Sequence, residues 1–367
     1  MTVTAQRGEF YFAPKAAKEG TPSTWYRHRA LSIGFGVVDD NRQAPLEVGG
    51  TSFPTGAYKA GAYVAGGVQL APRLEDVFGW LLYAALGSSA TDSDDPESGI
   101  NKHKFAPHST DDTQLPWLDI AKYIPGTNGV ITKGSDAKVA GLEITIPQTG
   151  TMVASPTFVG RVPSWIDDES AITSFRSAAA AMESYDSVPL ACKGLIKVGF
   201  DDVAKTVADL LADSGGTYDV PSLGSTISIM NNLTTPQEEM IQGSYNPDDF
   251  AVRSRIITVR FTYKWADPAL YLRILTGEAD GTAWSPIPTY APVLIEAESP
   301  DDISGMSNPY TFRFMAERVH WAMDGPPQLA AGQMIAQTYV GTVQIVSGQE
   351  YARCEIENEV ASYAWPT

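Results

Sequence analysis

The chain has 367 residues, 43% of them hydrophobic and 19% charged, with a formal net charge of -17. This is the composition of a folded chain long enough for two domains of ordinary size. The charge argues against a protein that grips nucleic acid, which presents clustered lysine and arginine to phosphates. Two cysteines, Cys192 and Cys354, are too few for a disulfide framework and read as free thiols. No basic-then-apolar leader pattern and no apolar run of about 18 residues is seen, so synthesis in a cytoplasm without a membrane step is expected. Glycine (32) and proline (25) favour many turns and short strands. The acidity is uneven: residues 1–165 carry 16 acids against 14 bases, and residues 166–367 carry 27 against 12.

Residues 1–29 mix charged and small side chains through Gly20-Thr21-Pro22 and read as an extended arm. From Ala30 the pattern changes. Leu31 to Val37 and Gly61 to Leu70 alternate apolar with small or polar residues, the period of half-buried strands, and the glycines of the second imply a bulge or close packing. Val77 to Leu86 is a continuous apolar run behind Glu75 and Asp76, closed by Gly87, and predicts a helix. Ser88 to Gln114 is polar, with acids from Asp92 to Glu97, and reads as a long loop. Strand signals return at Val139–Ile146 and Met152–Gly160. Alanine-rich Ser170–Ser184 predicts a helix leading into a junction at Leu190–Gly194, and Val203–Leu211 a second short one. Ser225–Ile229 and Arg255–Tyr263 follow as strands, with Ile257, Val259, Phe261 and Tyr263 on one face. Pro268–Thr276, closed by Gly277, predicts a last helix, and Tyr310–Met315 a further strand.

The chain also resembles itself. Met152-Val153-Ala154 followed by Thr157-Phe158-Val159-Gly160 recurs as Met334-Ile335-Ala336 followed by Thr338-Tyr339-Val340-Gly341, and the order of strands and helix around each recurs too. The chain thus divides into an arm (1–29), a first β domain (30–168), a linker (169–194), a second β domain (195–346) and a C-terminal tail (347–367). The expected fold class is mainly β (α+β), two tandem domains each with a short flanking helix.

Catalytic and cofactor patterns are missing. There is no phosphate loop, Gly34-Phe35-Gly36 lacks the third glycine of a dinucleotide site, and no Gly-x-Ser-x-Gly elbow occurs. His103 and His108 near Asp111 and Asp112 form a weak metal pattern interrupted by Pro107. The Asp92–Glu97 run lacks the glycine and terminal glutamate of a calcium loop. Glu317 lies near Trp321 in sequence without a second carboxylate to make a glycosidase pair. The eight tryptophans are scattered and read as core and interface anchors. No catalytic, cofactor-binding or metal residue is assigned, and the protein is read as structural, with no cofactor.

Several segments resemble the tail tube proteins of long, non-contractile bacteriophage tails. They are Val77–Gly87, His103-Lys104-Phe105, Leu115–Leu118, Val139–Ile146, Phe158-Val159-Gly160, Ser228–Leu233 and Leu275-Thr276-Gly277, taken in that order over roughly residues 30–345. The resemblance implies tandem β-sandwich or half-barrel domains that join neighbours into stacked rings around a channel for genomic DNA. The duplication then implies three copies per ring with pseudo-six-fold symmetry. The expected partners are copies of the chain itself, a tape-measure protein, a tail terminator and distal tail proteins. DNA would slide past an acidic channel wall unbound, no membrane is involved, and the location is the virion tail. The 88–114 loop, the arm and the C-terminal tail are expected to make inter-ring contacts. The alternatives are another β-rich virion component, such as a distal tail or decoration protein, and a carbohydrate-binding β-sandwich.

Overall fold

The computed structural model describes residues 7–22, 24–46, 48–50, 53, 56–74, 77–92, 99–108, 114–181, 193–201, 204–265, 268–303, 308–327, 329, 331–332, 334–345 and 351–366. Among them the chain runs β1 (Glu9–Lys15), β2 (Tyr26–His28), β3 (Ala30–Ile33), β4 (Gly36–Gln43), β5 (Ala57–Leu70), α1 (Phe78–Leu86), β6 (Gly87–Asp92), β7 (Asn101–Pro107), β8 (Trp117–Ile124), β9 (Val130–Pro147), β10 (Val153–Ile166) and α2 (Glu169–Ala178). It continues with β11 (Ala180–Ala181), β12 (Lys193–Val198), α3 (Val207–Ala212), β13 (Ser222–Leu233), β14 (Val252–Lys264), α4 (Ala269–Thr276), β15 (Tyr290–Asp302), β16 (Pro309–Met323), β17 (Ala336–Val343) and β18 (Arg353–Asn358). The protein is mainly β, and its strands form one hydrogen-bonded sheet, antiparallel except where β11 meets β2.

Most expected strands and helices fall where the residue patterns place them, but Leu31–Val37 is split at Gly34-Phe35 into β3 and β4, and the helix expected over Ser170–Ser184 ends at Ala178. In β14 the inward row is Ile257, Val259, Phe261 and Tyr263, all buried. Gly87 and Gly277 close α1 and α4 at φ 106° and 86°, a left-handed geometry that glycine adopts without strain. Asp168 caps α2 by accepting from the Ala171 N–H, and Thr206 with Asp209 forms a capping box on α3. In β5, a side chain at Gly66 would collide with the Phe35 backbone, so this glycine admits the close approach of the 34–35 turn. Glu75, Asp76, the acids from Asp94 to Glu97, Asp111, Asp112 and residues 182–192 of the expected linker, Cys192 among them, lie outside the described residues.

The two halves of the chain follow one pairing order. In the first it is β4–β5–β10–β9–β8–β1, and in the second β13–β14–β17–β16–β15–β12. A helix follows the second-listed strand in each, α1 after β5 and α4 after β14. The register repeats as well. Gly160 stands between Val64 and Ala137, and Gly341 between Val259 and Trp321.

Three expectations are overturned. Residues 9–15 are not part of a free arm: β1 lies between β2 and β8 with Phe10, Tyr11, Phe12 and Ala13 all buried. A strand covered on both faces shows no alternation, which is why the segment gives no strand signal. The polar 88–114 stretch is not a loop throughout, since β6 and β7 pair as a hairpin. The C-terminal tail is also built in, because β18 pairs with both β16 and β7. The described parts of all three segments expected to reach between rings thus hold strands that pair within their own chain. Nor does each half keep its own core. A single apolar cluster includes Phe10, Phe78, Phe105 and Phe158 with Phe261, Phe312, Tyr339, Ile356 and Tyr363.

The C-terminal residues are locked around α1. Tyr363 packs edge-on against Trp80, His103 and Phe105, and Trp365 stacks on Tyr83 with its Nε1–H donated to the Lys15 carbonyl. A Cβ at Gly79 would sit inside the Tyr363 ring. Gly79→Ala is therefore expected to destabilise the protein by about 1–3 kcal/mol through overpacking. In a Tyr363→Ala background the same change should become neutral or stabilising, by up to about 1 kcal/mol of helix propensity. Urea unfolding of the four proteins of this cycle measures both values.

Candidate interface between the two halves

Strand β9 is longer than the partner on one of its edges. Pairing with β8 ends at Ala137, while β10 continues along β9 as far as Thr145. The free stretch of β9 is taken by the second half, with Gly141 to Pro147 pairing antiparallel to Met230 to Gly224 of β13. Ile144 faces Ile227 and Leu142 faces Ile229 on the buried side.

At this junction the second half also finishes α1. Asn231 Nδ2 donates to the Ala85 carbonyl at 2.9 Å and to the Val139 carbonyl at 3.1 Å. Arg255 Nη1 donates to the Leu86 carbonyl at 3.0 Å, and its Nε to Asn231 Oδ1 at 2.7 Å. Helix C-termini leave carbonyls without partners and carry negative partial charge, so an amide and a guanidinium suit this end. Asn231 is buried and stands opposite Arg255 in the β13–β14 ladder.

The β13–β14 connection, residues 234–251, lies on the first half. The Tyr245 carbonyl accepts from the Ala62 N–H, and the Pro247 carbonyl from Arg161 Nε. Lys18 meets Asp248 at 2.7 Å. Lys138 meets Asp249 at 2.9 Å, donates to the Phe250 carbonyl and lies over the Trp117 ring.

Beneath this connection is a buried ion network. Lys15 is paired with Asp136 and, at 3.1 Å, with Asp119, while Arg161 Nη1 donates to Asp136 Oδ2 at 2.8 Å. Asp136 also accepts the Glu19 N–H, and Asp119 accepts the Asp136 N–H. Asp136 and Glu19 both hold positive φ, 52° and 63°. Burial pushes the Asp136 carboxyl up, but the Lys15 and Glu19 hydrogen bonds and the charges of Lys15 and Arg161 outweigh it, leaving the group below the usual carboxylate range. For Asp119 burial dominates over the Asp136 N–H and Lys15, and the group ends above that range.

The residues weighed for chemistry have other employment. Buried His103 contacts Thr91 Oγ1 and Asn358 Oδ1, tying the β6–β7 hairpin to the chain end. His108 lines an open groove of about 690 Å³ with Tyr83, Trp117 and Trp365. Glu317 accepts the Val207 N–H at the start of α3, and buried Trp321 donates to the Ala291 carbonyl, so the two form no carbohydrate cleft. Among the described residues no three His, Cys, Asp or Glu groups are placed to hold a metal ion. No described helix is long and apolar enough to cross a membrane. The thiol of buried Cys354 is pushed up by burial, which makes it unreactive. No protein-family model matches this chain, and no curated protein matches it either.

Sequence reasoning did not single out Asn231, Arg255 or the Lys15–Asp136 network. Asn231 occurs there only as part of a resembling segment, and helix-capping by a residue 146 positions away leaves no local pattern.

Two predictions follow from this geometry. Removing one partner of a buried ion pair strands the other, so Asp136→Asn should cost about 3–5 kcal/mol at pH 7, and Asp119→Asn less. Because the folded Asp136 carboxyl is depressed, its contribution is present above the unfolded value and is lost as pH falls through the folded one. Asp119 has the opposite sign, its contribution being lost as pH rises. Asp136→Asn should accordingly flatten the acid limb of a stability–pH curve, and Asp119→Asn should leave that limb in place. Asn231→Ala leaves the Ala85 and Val139 carbonyls buried without this donor and should cost about 1–3 kcal/mol in the same unfolding assay.

Proposed function

We propose that the protein is a structural subunit that assembles with copies of itself into stacked rings, forming a hollow tube of the phage-tail kind through which DNA passes. The carrying observation is that one strand order occurs twice in the chain and that β13, the outer strand of the second, pairs with the stretch of β9 left free beyond β8. A chain whose halves meet in this way can meet further copies by the same contact, and three copies would then present six similar units around an axis. Heterologous contacts of this kind close into rings when the rotation permits.

A second feature supports the reading. The solvent-facing side of β10, β9, β13, β14 and β17 is continuous across the junction and rich in hydroxyls. Its rows run Ser155–Glu143–Ser228–Thr258–Thr342 and Val153–Thr145–Thr226–Arg260–Val340, with Thr262 beside Thr338. Arg260 is paired with Asp324. This face is less acidic than the expected channel wall. These rows carry one carboxylate and one neutralised cation among their hydroxyls, and the same face adds exposed Met230, Ile256 and Lys264; so few cations displace few phosphate counterions, which lets DNA slide.

Negative-stain microscopy of the concentrated, purified chain should show hollow fibres of uniform width, with a ring mass by light scattering of three chains. Short closed particles that never lengthen would favour a distal tail or decoration component. A monomer at all concentrations would sink the proposal.

A further inference from the structure

The repeat allows the contact between copies to be assigned residue by residue, an assignment that rests on the tube-subunit reading above. Aligned through the shared register, Val64 corresponds to Val259, and the β4–β5 ladder overlays the β13–β14 ladder: Val37 on Ile227, Asp40 on Met230, Asn41 on Asn231. Opposite Asn231 stands Arg255, and opposite Asn41 stands Lys59. Both halves thus carry an amide opposite a cation on the same edge, although a register shift between Asp40 and Asn41 sets Lys59 one residue further along β5 than Arg255 lies along β14.

In the second half this edge is used. β13 lies against β9, Asn231 and Arg255 finish the C-terminus of α1, and the 234–251 connection lies on the first half. In the first half the corresponding features face solvent. The outer edge of β4 has no strand partner among the described residues, Asn41 is exposed, and Lys59 is an exposed partner of Asp39. The corresponding connection, 44–56, carries exposed Leu46, Val48 and Phe53.

The receiving half is equally incomplete. Seven of the nine residues of α1 are buried, whereas α4, which occupies the same place in the repeat, has none buried despite the run Leu270-Tyr271-Leu272 and Ile274-Leu275. The α1 carbonyls of Ala85 and Leu86 correspond to those of Leu275 and Thr276, the two residues before each closing glycine. The Leu275 carbonyl already accepts the Ser285 N–H and retains a second lone pair.

We infer that the first half of one copy docks on the second half of another as the second half docks on the first within the chain, with Asn41 and Lys59 donating to the C-terminal carbonyls of α4. The partner is a second copy, because among the described residues the surface that matches the one receiving β13 belongs to the repeat itself. Residues 324–327, which follow β16 where β9 would continue, include Pro326 and Pro327, and proline has no N–H to donate to a ladder. The helix cap and exposed Leu46, Val48 and Phe53 therefore carry more of this contact than the strand ladder.

Sedimentation and light scattering on the full chain test this. Lys59→Glu places a carboxylate against the negative end of α4 and should raise the concentration needed for assembly at least about tenfold. Lys104→Glu, an equal charge change on β7 away from this edge, should shift it less than about threefold. Circular dichroism and melting temperature confirm that both variants fold as wild type. In a Cys192→Ser background, Asn41→Cys with Leu275→Cys should yield covalent dimers and trimers with a short bifunctional maleimide, and neither single cysteine should. Tubes that form normally with Lys59→Glu and without this cross-link would overturn the assignment while leaving the tube reading standing. A wild-type chain that never assembles would overturn both.

Discussion

A β-strand cannot end one of its edges in the interior without leaving peptide groups unpaired, and β9 runs past β8 by enough residues to raise that problem. β13 resolves it. Once β13 is seated on β9, β14 and β17 follow as a sheet extension, Asn231 and Arg255 reach the end of α1, and residues 234–251 come down over Arg161 and Lys138. The common core, the helix cap and the ion network are successive consequences of one unfilled edge.

The ion network illustrates how polar burial is tolerated there. Burying Lys15, Asp119, Asp136 and Arg161 is unfavourable for each alone. It is offset because every carboxylate oxygen that faces inward meets a cation or an N–H, and because the backbone at Asp136 and Glu19 bends into left-handed geometry to bring those N–H groups round. Its chief effect is register. Shifting β9 by one residue would point Asp136 away from Lys15 and Arg161.

Much of this architecture is legible in the residues. The alternation of β14, the helices closed by Gly87 and Gly277, and the Met152 and Met334 segments mark real elements, and the last two lead into strands of the same rank in each half. What is not legible has a common cause. β1 is covered on both faces, the β6–β7 hairpin is polar because one side faces water, and β18 gains its place only by pairing with residues about 40 and 250 positions earlier. Asn231 looks like any strand asparagine until the helix end it serves is in view.

The wedging of Tyr363 and Trp365 around α1 has a consequence for biosynthesis. The first helix emerges from the ribosome long before the residues that cover it, and before Asn231 and Arg255 can occupy its terminal carbonyls. The early half of the nascent chain therefore holds an apolar helix that stays uncovered until residues 231–255 and 363–365 have emerged. Synthesis in a crowded polysome then sets a demand for chaperone holding that is greatest in the interval between the exit of α1 and the arrival of Tyr363 and Trp365.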